Sequence, residues 1–200
     1  MSHNELQDNL YARMKQRIAG MNSEDFIDYV FRDTLSTCKN ERFFTKLLVH
    51  PIEFPSTAVI MLDICDFQRI DTKYGLRYGQ KILRKIADVI HRTFPADCDV
   101  VRYYGDVFVI IMYNTTPETL LYYMSNVLSE ISNLEFPEHP SIVLKAVAGG
   151  AITDELSLEA LTNADIMLQK AKRNKLKGLF EKTTNSWSQE FSLDEFGHCE

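Results

Sequence analysis

The sequence predicts a single α/β domain built on a mixed central sheet with helices on its faces. Three observations carry this. From residue 57 onward, strand-like and helix-like segments alternate along the chain. In the middle, residues 100–113 (VVRYYGDVFVIIMY) hold two β-rich runs on either side of a tight turn containing glycine, which is a hairpin and puts an antiparallel pair into the sheet. The 200 residues, 45% of them hydrophobic, suffice for one domain of ordinary size with an extension.

The elements follow in order. Residues 4–19 carry Leu6, Leu10, Met14 and Ile18 at i, i+4 spacing, an amphipathic helix that Gly20 stops. Ser23, followed by Glu24 and Asp25, has the pattern of an N-cap and opens a second helix through about Leu35. Pro51 and Pro55 bound a loop, and residues 57–64 form the first core strand. Residues 76–94 read as a long helix with Ile82, Ile86, Val89 and Ile90 along one face. After the hairpin come a helix over 117–133 and a loop marked by Pro137 and Pro140. A strand over 142–152, a helix over 157–173 and a short final strand over 178–182 follow. The tail, 183–200, sets Trp187, Phe191, Leu193 and Phe196 among acidic and polar residues, and either stays disordered or docks on the domain.

Composition excludes several functions. A formal charge of −6 and a pI near 5.4 give no electrostatic reason to expect nucleic-acid binding. No apolar run approaches the roughly 18–20 residues of a membrane span, and the first eighteen residues lack a signal-peptide core. Cys38, Cys65, Cys98 and Cys199 are scattered without a C-x-x-C pair or zinc-like histidine spacing, so reduced thiols in a cytoplasmic protein are expected.

The chemistry concentrates in two carboxylates. Asp63 ends the first core strand, and Asp106 follows the hairpin glycine directly. If the two strands pair in one sheet, these side chains face each other across a metal-sized gap and can hold Mg²⁺ against nucleotide phosphates. The alternative is a pair of solvated loop carboxylates.

Four segments in order resemble the GGDEF family, the bacterial diguanylate cyclases. RYYGDVF at 102–108 is similar to that family's RYGGDEF core, and DTLSTCKNERFF at 33–44 to its opening D-x-L-T-G-L-x-N-R-R-x-F. MLDICDFQRIDTKYGLRYGQ at 61–80 resembles L-D-I-D-x-F-K-x-I-N-D-x-Y-G-H-x-x-G-D, and ADIMLQKAKRNKLK at 164–177 resembles A-D-x-A-L-Y-x-A-K-x-x-G-R-N. The resemblance implies a ferredoxin-like palm related to the class III nucleotidyl cyclases, occupying 33–182. An N-terminal helical extension (1–32) precedes it and a tail (183–200) follows. The extension either joins protomers, as the input helices of that family do, or packs on its own domain.

The same resemblance assigns Asp63, Ile64 and Asp106 to a metal, and Phe67, Gln68, Asp71, Gln80, Tyr104, Gly105 and Lys172 to a nucleotide. Gly75 and Gly79 match the loop glycines. It also shows losses. Tyr104 stands where the family has its first hairpin glycine, and a ring there obstructs the pocket unless it rotates outward. Val107 and Cys65 replace acids, while Gln68 and Leu176 replace cations. Asp71 and Gln80 hold the positions of the guanine-reading asparagine and aspartate with acid and amide exchanged. The product-inhibition motif falls on Pro95 and Cys98 and is absent. The expectation is a degenerate domain in which Asp106 is vestigial and no residue is confidently catalytic. It would serve as a regulatory or interaction module in cyclic-di-GMP-related signalling, as a homodimer or with another signalling protein. The alternatives are a sensor that binds GTP without turning it over, with Mg²⁺ accompanying the nucleotide, and an active cyclase of altered specificity.

Overall fold

A computed structural model describes residues 12–13, 15–49, 56–184 and 187–193. Residues 15–19 are helical, in line with the first periodic segment, whereas Leu6, Leu10 and Met14 lie outside the described residues. The ordered elements then run α1 (Ser23–Phe31), β1 (Lys39–Asn40), α2 (Glu41–Val49), β2 (Thr57–Ile64), α3 (Phe67–Tyr74), α4 (Leu76–Thr93) and β3 (Asp99–Tyr104). They continue with β4 (Val107–Met112), α5 (Pro117–Ser132), β5 (Ala146–Thr153), α6 (Leu158–Asn174), β6 (Gly178–Thr184) and β7 (Trp187–Ser192).

One seven-stranded sheet has the order β1-β3-β4-β2-β5-β6-β7. β2 is antiparallel to both β4 and β5, while β1–β3 and β5–β6 are parallel, so the sheet is mixed as the hairpin required. β2 reads TAVIMLDI without polar alternation because helices cover both of its faces. Ala58, Ile60, Leu62 and Ile64 join one core with residues of α4 and α5. Val59 and Met61 point the other way, into a second core with Phe44 of α2 and Ala160, Ala164 and Leu168 of α6. Asp63 shares the parity of Val59 and Met61 and therefore faces α6.

Several boundaries differ from the sequence reading for local reasons. α1 is capped by Asn22, whose side chain accepts from the Asp25 amide at 2.8 Å, one residue ahead of the expected Ser23. It ends at Phe31 rather than near Leu35, because the Asp33 carboxylate draws the amides of Leu35 and Ser36 into a turn. β5 begins at Ala146 rather than 142. The tail does not end the sheet at β6: β7 pairs antiparallel with it, and Phe191 stacks on Phe180 with centroids 4.7 Å apart. Among the described residues, no helix is long and apolar enough to cross a membrane.

Candidate nucleotide site

Two strand ends and a hairpin tip converge at one edge of the sheet. Asp63 pairs with Val107 on β4 and Val147 on β5. Tyr104 pairs with Val107, leaving Gly105 and Asp106 as a two-residue turn. Gly105 has φ +54°, a left-handed position that glycine fills without a Cβ penalty. Asp106 thus follows the tip immediately and lies beside Asp63. Burial raises the Asp106 carboxyl above its ordinary range and the nearby Asp63 charge raises it further, against lowering by its own main chain and by Lys172.

Lys172 approaches from the last turns of α6, its ammonium 2.7 Å from Asp63 Oδ1. The cation expected at the phosphates is therefore paired with the first metal carboxylate. The neighbouring acid positions are filled by Val107, which is buried, and by Cys65, which is disulfide-bonded and not a reduced thiol as expected. Cys65 sits half-buried in the loop after β2, at the margin of the core, where its sulfur can meet a partner. Among the described residues, no group of three or more His, Cys, Asp or Glu side chains can hold a metal ion. The protein donor set is two carboxylates, one already neutralised, which suits Mg²⁺ only in company with phosphate oxygens.

Beside the carboxylates a cavity of about 430 Å³ opens between α3, α4, the hairpin tip and the 34–35 turn. Phe67, Gln68, Asp71, Gln80, Gly105 and Asp106 line it; Tyr104, Lys172, Asp63 and Ile64 do not. Tyr104 is turned outward, the arrangement in which its ring does not obstruct the cavity. Its ring is 56% exposed and packs on Tyr103 with centroids 5.2 Å apart, and Tyr103 in turn meets Phe44 edge-on at 5.7 Å. A register shift between Arg102 and Tyr104 re-aims the strand just before the turn, so both tyrosines stack outside the cavity.

Asp71 projects from α3 over Gly79 of α4. A Cβ at position 79 would lie 1.6 Å from Asp71 Oδ1 and 3.2 Å from the Phe67 ring, so glycine leaves room for the carboxylate. Asp71 Oδ1 is buried without a hydrogen-bond partner, and burial raises its pKa. Such an oxygen is an open acceptor for a ligand N–H.

Sequence reasoning missed Arg102, which also lines the cavity. It donates to the Gly105 carbonyl from Nε at 3.1 Å and from Nη2 at 2.8 Å, and its Nη1 stands 3.4 Å from both Asp33 oxygens. The arginine thus ties the hairpin tip to the turn after α1. The first residue of RYYGDVF and the aspartate of DTLSTCKN were the visible signal, with no local pattern to say that they meet across 69 positions. Leu35, Leu76 and Leu83 supply the apolar wall, also unforeseen.

Comparison with known proteins agrees with this architecture. The family model described as diguanylate cyclase, GGDEF domain, matches residues 30–177. The probable diguanylate cyclase DgcC of Escherichia coli is 27% identical over 119 residues, 58% of this chain and 32% of that protein. Diguanylate cyclase DosC of the same species is 25% identical over 133 residues, 64% of this chain and 27% of that protein. The chain thus spans about a third or less of the curated relatives it matches. Among solved structures, the coiled coil and GGDEF domain of DgcB from Caulobacter crescentus, in complex with c-di-GMP, superposes with a TM-score of 0.67 at 17% identity. That likeness covers 90% of this chain and 98% of that one. The FimX GGDEF domain from Pseudomonas aeruginosa gives 0.65 at 16% identity, covering 76% of this chain and 99% of that one. At such identities the structural likeness speaks for the fold alone, but the family match spans most of the sequence, and the chain belongs to the GGDEF domain family.

Proposed function

We propose that this GGDEF domain does not make cyclic di-GMP and acts as a regulatory module in cyclic-di-GMP signalling in the bacterial cytoplasm, through contact with a second GGDEF domain or another signalling protein. The observation that carries this reading is the Asp63–Lys172 ion pair at 2.7 Å. One side chain serves as counter-ion to a metal carboxylate and is thereby withdrawn from phosphate. Gln68 offers no charge in the cavity, and Val107 and Cys65 cannot hold a cation. Two missing charge-assisted contacts at roughly 1.5–3 kcal/mol each would cost triphosphate affinity several orders of magnitude. Were Mg²⁺ to enter with a nucleotide, Asp63, Asp106 and the Ile64 carbonyl would hold it, and it would supply charge neutralisation at the phosphates. The test is product formation: purified protein with GTP and Mg²⁺ or Mn²⁺ yields no cyclic di-GMP. Product that disappears in Asp106→Ala overturns the reading.

A second reading, retention of a nucleotide without turnover, is favoured by the unobstructed cavity and the orphan Asp71 Oδ1. Under it, calorimetry detects GTP or cyclic di-GMP, and Asp71→Ala weakens binding by about tenfold or more through loss of a buried hydrogen bond. No heat and no melting shift at millimolar ligand removes this second reading.

A further inference from the structure

We infer that the domain has a second ligand site, a basic cavity on the face of α3 turned away from the nucleotide cavity, and that it takes a small phosphate monoester as its dianion. Phe67 and Asp71 line the nucleotide cavity. At roughly 100° per residue, Arg69 and Lys73 are rotated from them by about half a turn. These two line a separate cavity of about 290 Å³, closed on its far side by residues 141–143 and Lys145, which lead into β5. Among the described residues, none lines both cavities.

Charge selects the ligand. Arg69, Lys73 and Lys145 line the cavity with a single carboxylate, Asp66, which leaves two positive charges on the wall in a chain whose formal charge is −6. Arg69 and Lys73 are one helical turn apart, a spacing at which like charges repel. Neither forms a salt bridge among the described residues. An anion between them relieves that repulsion, and two charges match a phosphate monoester, whose second pKa is about 6. The Tyr74 phenol reports the same field: the hydrogen bond to Ser141 and then the Lys73 ammonium hold its pKa below the ordinary value. The groups at this wall therefore stabilise negative charge.

The walls are held in place without a ligand. The Tyr74 hydroxyl and Ser141 Oγ are 3.2 Å apart, and the His139 ring lies 4.6 Å from both Tyr74 and Tyr78. The Cys65 amide donates to the Lys145 carbonyl at 2.9 Å. The segment entering β5 is thus fastened to α3, α4 and β2, and little ordering remains to oppose binding. Both hydroxyls are able to donate to phosphate oxygens. Ile70, Ile142 and Val143 supply apolar surface beside the Tyr74 ring, so the organic group of the ester is a flat or apolar body. Ligand cavities run from about 300 to 1,000 Å³. This one lies at the lower end and suits a monophosphate with one ring, not a dinucleotide.

Titration calorimetry of the full-length chain with phenyl phosphate, inorganic phosphate and benzoate tests this. Phenyl phosphate should bind with a Kd on the order of 0.1–1 mM at low salt. Benzoate, with half the charge, should bind about tenfold more weakly. Inorganic phosphate, with no ring to set against Tyr74, should bind about threefold more weakly. Arg69→Gln with Lys73→Gln should weaken phenyl phosphate by about ten- to a hundredfold. Both side chains are exposed, so this variant keeps the fold. No heat from phenyl phosphate at about 10 mM overturns the proposal, as does an affinity no greater than that of benzoate or inorganic phosphate. Undiminished binding by the double variant also overturns it, since the phosphate would then sit in the nucleotide cavity.

Discussion

Gly149→Ala is expected to lower the melting temperature by roughly 6–12 °C. Gly149 lies on β5, opposite Met61 and Leu179, on the face that α6 covers. A Cβ there would stand 2.0 Å from the Leu168 amide nitrogen, 2.4 Å from Leu168 Cα and 2.5 Å from the Ala164 carbonyl oxygen. These are backbone atoms, so no rotamer change relieves the clash and the helix itself must move. Overpacking against backbone costs about 3 kcal/mol or more. Because α6 carries Lys172, the same displacement should separate the ammonium from Asp63. Gly150→Ala is the internal control. Its nearest neighbour would be the Phe180 Cβ at 3.2 Å, which has to yield only a few tenths of an ångström, and about 1 kcal/mol is expected. Equal melting temperatures for the two variants, read by calorimetry, would refute close backbone approach as the reason for glycine at 149.

Asp33→Ala should cost about 2–4 kcal/mol. The carboxylate accepts from the Ser36 amide and hydroxyl, both at 2.8 Å, and from the Leu35 amide at 3.1 Å. It faces Arg102, with side-chain exposures of 16% and 18% for acid and base. Truncation strands two amides and leaves a mostly buried guanidinium with only the Gly105 carbonyl. The hairpin tip then loses its anchor, and with it the position of Asp106. The pH dependence has a fixed sign. Burial alone would raise the Asp33 carboxyl, but the Ser36 bonds, the Arg102 charge and the Leu35 amide together hold it below its ordinary value. A carboxyl lowered in the folded state contributes stability fully above the unfolded pKa of about 3.9, and the contribution fades as pH falls through the folded value. Wild type should therefore lose stability more steeply than Asp33→Ala on acidification below about pH 4. Parallel denaturation curves for the two proteins across that window would contradict the assignment.

How much of this was readable before the fold was known depends on the range of the interaction. The two-residue turn at Gly105 and the strand ending at Asp63 were legible because turn chemistry and uninterrupted apolar runs are local signals. Helix α6 was placed within a residue of its observed ends, since Ser157 caps it by accepting from the Ala160 amide. α2 and β1 were not foreseen. Two residues make too short a strand to show a period, and only the parallel pairing of β1 with β3 defines it. β7 was left open because its pairing with β6 depends on the facing strand and not on its own sequence.

The order of the main elements from β2 to β6, apart from α3, was readable in the sequence from periodicity and turn residues, and the family likeness from four motif segments, whereas the meeting of Asp63 and Asp106 depended on the pairing of β2 with β4. Where the side chains point was decided only by tertiary structure. A bulge turns Tyr104 out of the cavity, α6 brings Lys172 onto Asp63, and Gly79 yields its space to Asp71. Those outcomes rest on packing between segments tens of residues apart, where a shift of one strand position or a few ångströms reverses which group meets which.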